Sequence, residues 1–140
     1  MAGCIFCRIV SGDVPARSLH EDEHAVAFLD AFPLAEGHIL VVPRAHVGRL
    51  EELGDAQARA VFAAVHKLTG RVQKATGAPA TTIAVNNGRE AGQEVPHVHV
   101  HIVPRWPGDG AGPIHALGWS RPKLSAERMD QIAKSIRALP

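Results

Sequence analysis

The sequence predicts an α+β fold, a five-stranded antiparallel sheet with one long helix, a short N-terminal helix and a C-terminal helix, on three observations. Three strand-like segments follow one another within residues 17–42 before any long helical pattern, which favours antiparallel pairing over βαβ units. An apolar repeat at three and four residues between Asp55 and Gly77 marks one long helix. Two more strand-like segments, residues 81–86 and 98–103, come after it. At 140 residues the chain has the size of one domain, read as a core over about 4–105 followed by a loop and helix over about 106–140.

The N-terminal element is a short helix, because Phe6, Ile9 and Val10 recur at helical spacing and Gly12 follows as a stop. Residues 17–21 and 24–30 flank the acidic turn Glu21-Asp22-Glu23 and read as a hairpin. Residues 37–42, apolar and β-branched, form a central strand stopped by Pro43. Asp55 is the predicted cap of the long helix, whose apolar face carries Ala58, Val61, Phe62, Val65, Leu68 and Val72. The two later strands are joined by the polar loop 87–92. Residues 104–122, rich in Gly and Pro and holding Trp106 and Trp119, read as a long loop of a kind that is often functional. Ser125 caps a last helix with Met129, Ile132, Ala133 and Ile136 on one face.

Fifteen basic and fourteen acidic residues give a formal charge of +1. So balanced a chain has no broad field for a nucleic-acid backbone, and any phosphate partner is small. No apolar run reaches the length of a membrane span, and the N-terminus lacks a signal-peptide pattern, so the expected location is the cytoplasm. The chain is rich in histidine, with nine, and has no tyrosine.

Three of the histidines stand in Pro96-His97-Val98-His99-Val100-His101-Ile102-Val103-Pro104. Alternate residues of a strand face opposite sides, so His97, His99 and His101 share one face and Val98, Val100 and Ile102 the other. A solvated polar face usually mixes Thr, Ser, Lys and Glu. A single zinc suits two neighbouring imidazoles but not all three, since His97 and His101 are separated by roughly 13 Å of strand. The middle imidazole as a nucleophile towards phosphorus fits better. It attacks through one nitrogen while the other holds a proton against an acceptor, and its neighbours donate to phosphate oxygens or protonate the leaving group.

His97-Val98-His99-Val100-His101 followed by an apolar residue resembles the H-φ-H-φ-H-φ signature of the histidine triad (HIT) family, nearest its Hint-like bacterial branch. Further landmarks match in order: the N-terminal helix, Phe28-Leu29-Asp30, Gly37-His38, Asn86-Asn87-Gly88 and Gly92-Gln93. The resemblance implies the HIT fold, a homodimer and a nucleotide hydrolase or transferase. It implies release of a nucleoside monophosphate, AMP first among purine nucleotides, from phosphoramidates, adenylates or dinucleoside polyphosphates. It makes His99 the nucleophile that forms a nucleotidyl-histidine intermediate, His101 a contact to the α-phosphate and His38 their support, with no catalytic metal. Asp30 matches the acceptor for ribose hydroxyls, Phe6, Ile9, Phe28 and Leu29 an apolar base pocket, and Asn86 and Gln93 polar positions near the phosphates. Glu94 stands where many Hint-like members have serine, and a carboxylate there bears on the substrate type.

Cys4 and Cys7 form a C-x-x-C. A redox reading needs a thioredoxin-like βαβ context, which this N-terminus lacks. The resemblance implies a structural zinc held by Cys4, Cys7, His46 and His97; incidental buried thiols are the alternative. Two rival functions stay open on the sequence. One is a nucleotide-binding module with little turnover. The other is a histidine-ligated metal hydrolase, for which no H-E-x-x-H-like carboxylate spacing is present.

Overall fold

The computed structural model describes residues 3–110 and 121–140. Its open sheet has the order β1-β2-β3-β5-β4 with every neighbouring pair antiparallel. The strands are β1 (Ser18–Glu21), β2 (Ala25–Leu29), β3 (Ile39–Pro43), β4 (Ala80–Ala84) and β5 (Val100–Arg105). The helices are α1 (Ile5–Ser11), α2 (Asp55–Thr76) and α3 (Ala126–Ala138). The predicted fold class and all eight predicted elements are present, with shifted ends.

The shifts have local causes. Gly54, not Asp55, is the N-cap of α2, because the Gln57 side chain reaches back to accept the Gly54 N–H at 3.0 Å and leaves Asp55 as the first helical residue. Pro43 ends β3 from within, paired with Ala25. On β5 the ladder starts at Val100, two residues later than predicted. His97 N–H bonds the Val95 carbonyl and Val98 N–H bonds Val47, which holds both residues off the sheet. At its other end β5 runs through Pro104, expected to open the loop, after pairing with β3 has stopped at Ile102. Of the 104–122 loop, residues 111–120 with Trp119 lie outside the described residues.

Alternation along the strands divides the core in two. Ile39, Val41, Val100 and Ile102 face α2 and α3, meeting Leu68, Val72, Ile132 and Ile136. The stripe of α2 that is buried comprises Val61, Ala64, Val65, Leu68 and Val72, the valines and leucine each contributing roughly 1.5–3 kcal/mol by leaving water. Phe62, expected on that face, is 42% exposed, because it lies one position round the helix from Val61. The other sheet face carries Val26, Phe28, Leu40 and Val42, packed against Cys4 and Phe6 at α1. Gly37 lets β3 start hard against α2: with φ at +81°, a Cβ there would lie 2.8 Å from the side chains of Val72 and Thr76.

Candidate functional site

The face that α1 leaves open is a cavity of about 640 Å³. Phe6 and Ile9 come to it from α1, Phe28 and Leu29 from β2, and Asp30 and His38 from the turn into β3. Asn86, Glu94, His99 and His101 close the opposite side. Of the residues singled out for a pocket, Gln93 is elsewhere. Its Oε1 accepts the Gly88 N–H at 2.7 Å, and its amide donates to the carbonyls of Gly48 and Val95 at 2.8 and 2.9 Å. Both amide hydrogens are thereby committed to holding the 88–95 loop, and the residue lines a neighbouring depression with Arg49 and Arg89. Glu94 and Arg121 line the cavity too. Sequence reading marked Glu94 only as a departure and missed Arg121, which carries no motif.

The hydrogen bonds fix the protonation of each imidazole, since a backbone carbonyl only accepts and a backbone N–H only donates. His99 Nδ1–H donates to the His97 carbonyl at 2.8 Å, which leaves Nε2 as the bare nitrogen of a side chain that lines the cavity. His97 Nε2–H donates to the Pro43 carbonyl at 2.8 Å, so its bare nitrogen is Nδ1, 3.4 Å from Cys4 Sγ and 3.5 Å from Cys7 Sγ. His38 Nδ1 accepts the Leu34 N–H at 3.0 Å, its proton is therefore on Nε2, and this donates to His101 Nδ1 at 2.9 Å. His101 in turn keeps its proton on Nε2. The ring of Phe6 lies 5.0 Å from that of His99 and 5.8 Å from that of His97, walling one from the other's surroundings.

All four imidazoles are held neutral. Burial, then the nearby Arg121 and His99, takes the pKa of His38 down to about 3. Burial, then His38 and His99, takes His101 down to about 3 against the opposing pull of Asp30. His97 and His99 are lowered chiefly by burial, with Asp30 and Glu94 pulling His99 back. Asp30 Oδ2 lies 3.7 Å from His38 Nδ1, but that nitrogen is accepting from Leu34, so the contact is not an ion pair.

A pH dependence follows. Groups with an ordinary pKa of 6.5 and a folded value of about 3 take up protons in the unfolded chain first, so stability is complete above about pH 6.5 and declines as pH falls towards 3. Each such group contributes up to about 1.4 kcal/mol per pH unit in that window. Thermal unfolding at pH 7.5 and 4.5, both with chelator, should show the acidic midpoint lower by more than about 5 °C. The variant His101→Asn should narrow the gap, and equal midpoints for the parent would contradict the neutral pair.

Cys4, Cys7, His46 and His97 form a group that could hold a metal ion, with one donor atom from each and all four within 4.8 Å of one another. Among the described residues it is the only such group, and none of its four residues lines the cavity.

Fold and site together define a histidine triad domain, with His97 and His99 on the segment leading into β5, His101 on β5 itself, and an apolar cavity under α1. Residues 11–108 match the HIT domain model. Over 107 residues the chain is 50% identical to an uncharacterized HIT-like protein of Methanocaldococcus jannaschii, covering 76% of this chain and 82% of that one. It is 38% identical over 133 residues, 95% of each chain, to an adenosine 5'-monophosphoramidase of Schizosaccharomyces pombe. The crystal structure of a Zn-bound histidine triad family protein from Mycobacterium smegmatis superposes with a TM-score of 0.82 at 32% identity, covering 98% of this chain and 92% of that one. The chain belongs to the HIT family.

Proposed function

We propose that the protein is a nucleotide hydrolase or transferase that passes a nucleoside monophosphate, AMP first, through a covalent intermediate on His99. The observation that carries this reading is the 2.8 Å bond from His99 Nδ1 to the His97 carbonyl, which leaves a neutral imidazole with its Nε2 lone pair in a nucleotide-sized cavity. Nε2 attacks the α-phosphorus, the bond to the leaving group breaks with its electron pair, and water later attacks the same phosphorus and frees His99. His101 Nε2–H serves as a donor to a phosphate oxygen, where charge builds in the transition state. The relay from Leu34 through His38 to His101 holds no surplus proton, so the leaving atom takes its proton from solvent. Asp30 accepts from the ribose, Phe6, Ile9, Phe28 and Leu29 hold the base, and Asn86 donates near the phosphates. Glu94 on the cavity wall disfavours an anionic leaving group and suits an amine, which supports phosphoramidates over dinucleoside polyphosphates. The phosphoramidase activity named for the fission-yeast relative agrees with this.

Cys4, Cys7, His46 and His97 would hold a zinc that organises the fold and takes no part in the chemistry. Two free thiols in such a site suit a reducing compartment, which supports the cytoplasm. A homodimer, which the family resemblance implies, would have the unpaired edge of β4 open to it. Among the described residues no helix is long and apolar enough to cross a membrane.

The test is release of AMP from adenosine phosphoramidate in the presence of a chelator, for the parent and Asp30→Ala. Turnover should survive chelation in both, with KM raised about tenfold or more in the variant and kcat little changed, because a ribose contact is made equally in ground and transition states. The variant should also lose the parent's preference for ribo over 2'-deoxy substrate. Binding of AMP without release would favour the binding module, and activity abolished by chelation the metal hydrolase.

A further inference from the structure

We propose that Arg121 is a nucleotide-binding residue whose guanidinium takes up the negative charge of the phosphate group, and that the segment entering α3 thereby completes the cavity. The inference rests on the functional reading above and adds a residue beyond residues 11–108, the stretch that matches the HIT domain.

The charges lining the cavity point to it. Two arginines and two carboxylates reach the wall: Arg17, Arg121, Asp30 and Glu94. Arg17 is held by Asp130 at 2.6 Å, which neutralises it. The three imidazoles that line the wall, His38, His99 and His101, are each placed by their hydrogen bonds with one ring nitrogen accepting or bare, and so supply no fixed positive charge. Among the described residues Arg121 is thus the one cation of the lining that no carboxylate pairs with. Without it, an anionic phosphate would enter a low-dielectric cleft lined by two carboxylates and by no cation free of a carboxylate partner.

Its placement is also built. Arg121 Nη1 donates to the carbonyl of Phe32, and the N–H of the same Phe32 donates to Asp30 Oδ1 at 2.9 Å. The guanidinium is thereby anchored to the turn that carries Asp30 across 89 residues of sequence. One of its five N–H donors is used in this way, and the rest are available to an oxyanion. Arg121 lines the same cavity as Asp30, His38, His99 and His101.

A buttress of the Asp30 turn and a phosphate contact predict different results. Calorimetry of AMP and of adenosine binding to full-length His99→Asn protein, alone and combined with Arg121→Ala or Arg121→Lys, separates them. AMP affinity should fall about tenfold with Arg121→Ala, the size of one lost charge-assisted contact, and recover in part with Arg121→Lys. Adenosine affinity should change less than about twofold. Equal losses for AMP and adenosine would reduce Arg121 to a buttress and overturn the inference, as would AMP affinity unchanged by Arg121→Ala. If His99→Asn protein with Arg121 intact binds neither ligand, the functional reading itself fails and takes this inference with it.

Discussion

Replacing His99 by alanine is expected to lower AMP release by roughly four orders of magnitude or more while leaving the protein folded, because loss of a covalent nucleophile removes the pathway rather than weakening one contact. The fold tolerates the change: His99 precedes the β5 ladder, and its one bond is to the neighbouring His97 carbonyl. His99→Asn separates chemistry from binding. Its side chain keeps an amide donor for the His97 carbonyl but has no lone pair suited to attack phosphorus, so it should bind AMP as the parent does and turn over no faster than the alanine variant. Single-turnover release measured beside AMP affinity checks both. A loss of tenfold or less for alanine would be too small for a nucleophile, and AMP affinity lowered in parallel with turnover would move His99 from catalysis to binding.

What the sequence shows of this site depends on range. Alternation needs only backbone geometry, so the separation of His101 from Val100 and Ile102 was legible, and the structure has those two apolar residues against α2 and α3. His97, expected on the face of His99 and His101, precedes the strand and does not line the cavity. The start of β5 was not legible, because it depends on Val98 bonding Val47, a contact with a distant loop. Tautomers were hidden for the same reason. Whether His99 bares Nε2 or Nδ1 is decided by a carbonyl two residues away, and the proton on His101 by a chain that runs back to Leu34. Gln93 shows the converse: the resemblance makes its amide a phosphate donor, but its hydrogens go to the carbonyls of Val95 and of the distant Gly48, a contact no local pattern reveals. Arg121 follows a Gly- and Pro-rich stretch with no periodicity, and only its approach to Phe32 marks it.

Protein purified without chelator is expected to carry about one zinc per chain, and Cys4→Ser with Cys7→Ser to remove it and lower the melting temperature by more than about 10 °C. The geometry supplies the reason. Tetrahedral zinc with Zn–S near 2.3 Å and Zn–N near 2.1 Å sets its donor atoms about 3.3–3.8 Å apart. Cys7 Sγ lies 3.2 Å from His46 Nδ1 and 3.5 Å from His97 Nδ1, and Cys4 Sγ lies 3.4 Å from His97 Nδ1; with all four donors within 4.8 Å of one another, shifts of up to about 1 Å accommodate the ion. The bond from His97 Nε2–H to the Pro43 carbonyl is the outer support such a ligand needs, since it fixes the tautomer that bares Nδ1. The stabilisation should be large because α1, with seven residues, is too short to persist by itself, and both cysteines belong to it or its cap. Metal would tie α1 to the loop after β3 and to the segment leading into β5. The chemistry should be spared: His99 offers no atom to the group, so the folded fraction of the double variant should retain most of the parent's AMP release at a temperature below its midpoint. Elemental analysis and paired melts decide it. Zinc absent from the parent, or a double variant that melts with it, would leave Cys4 and Cys7 as two incidental thiols.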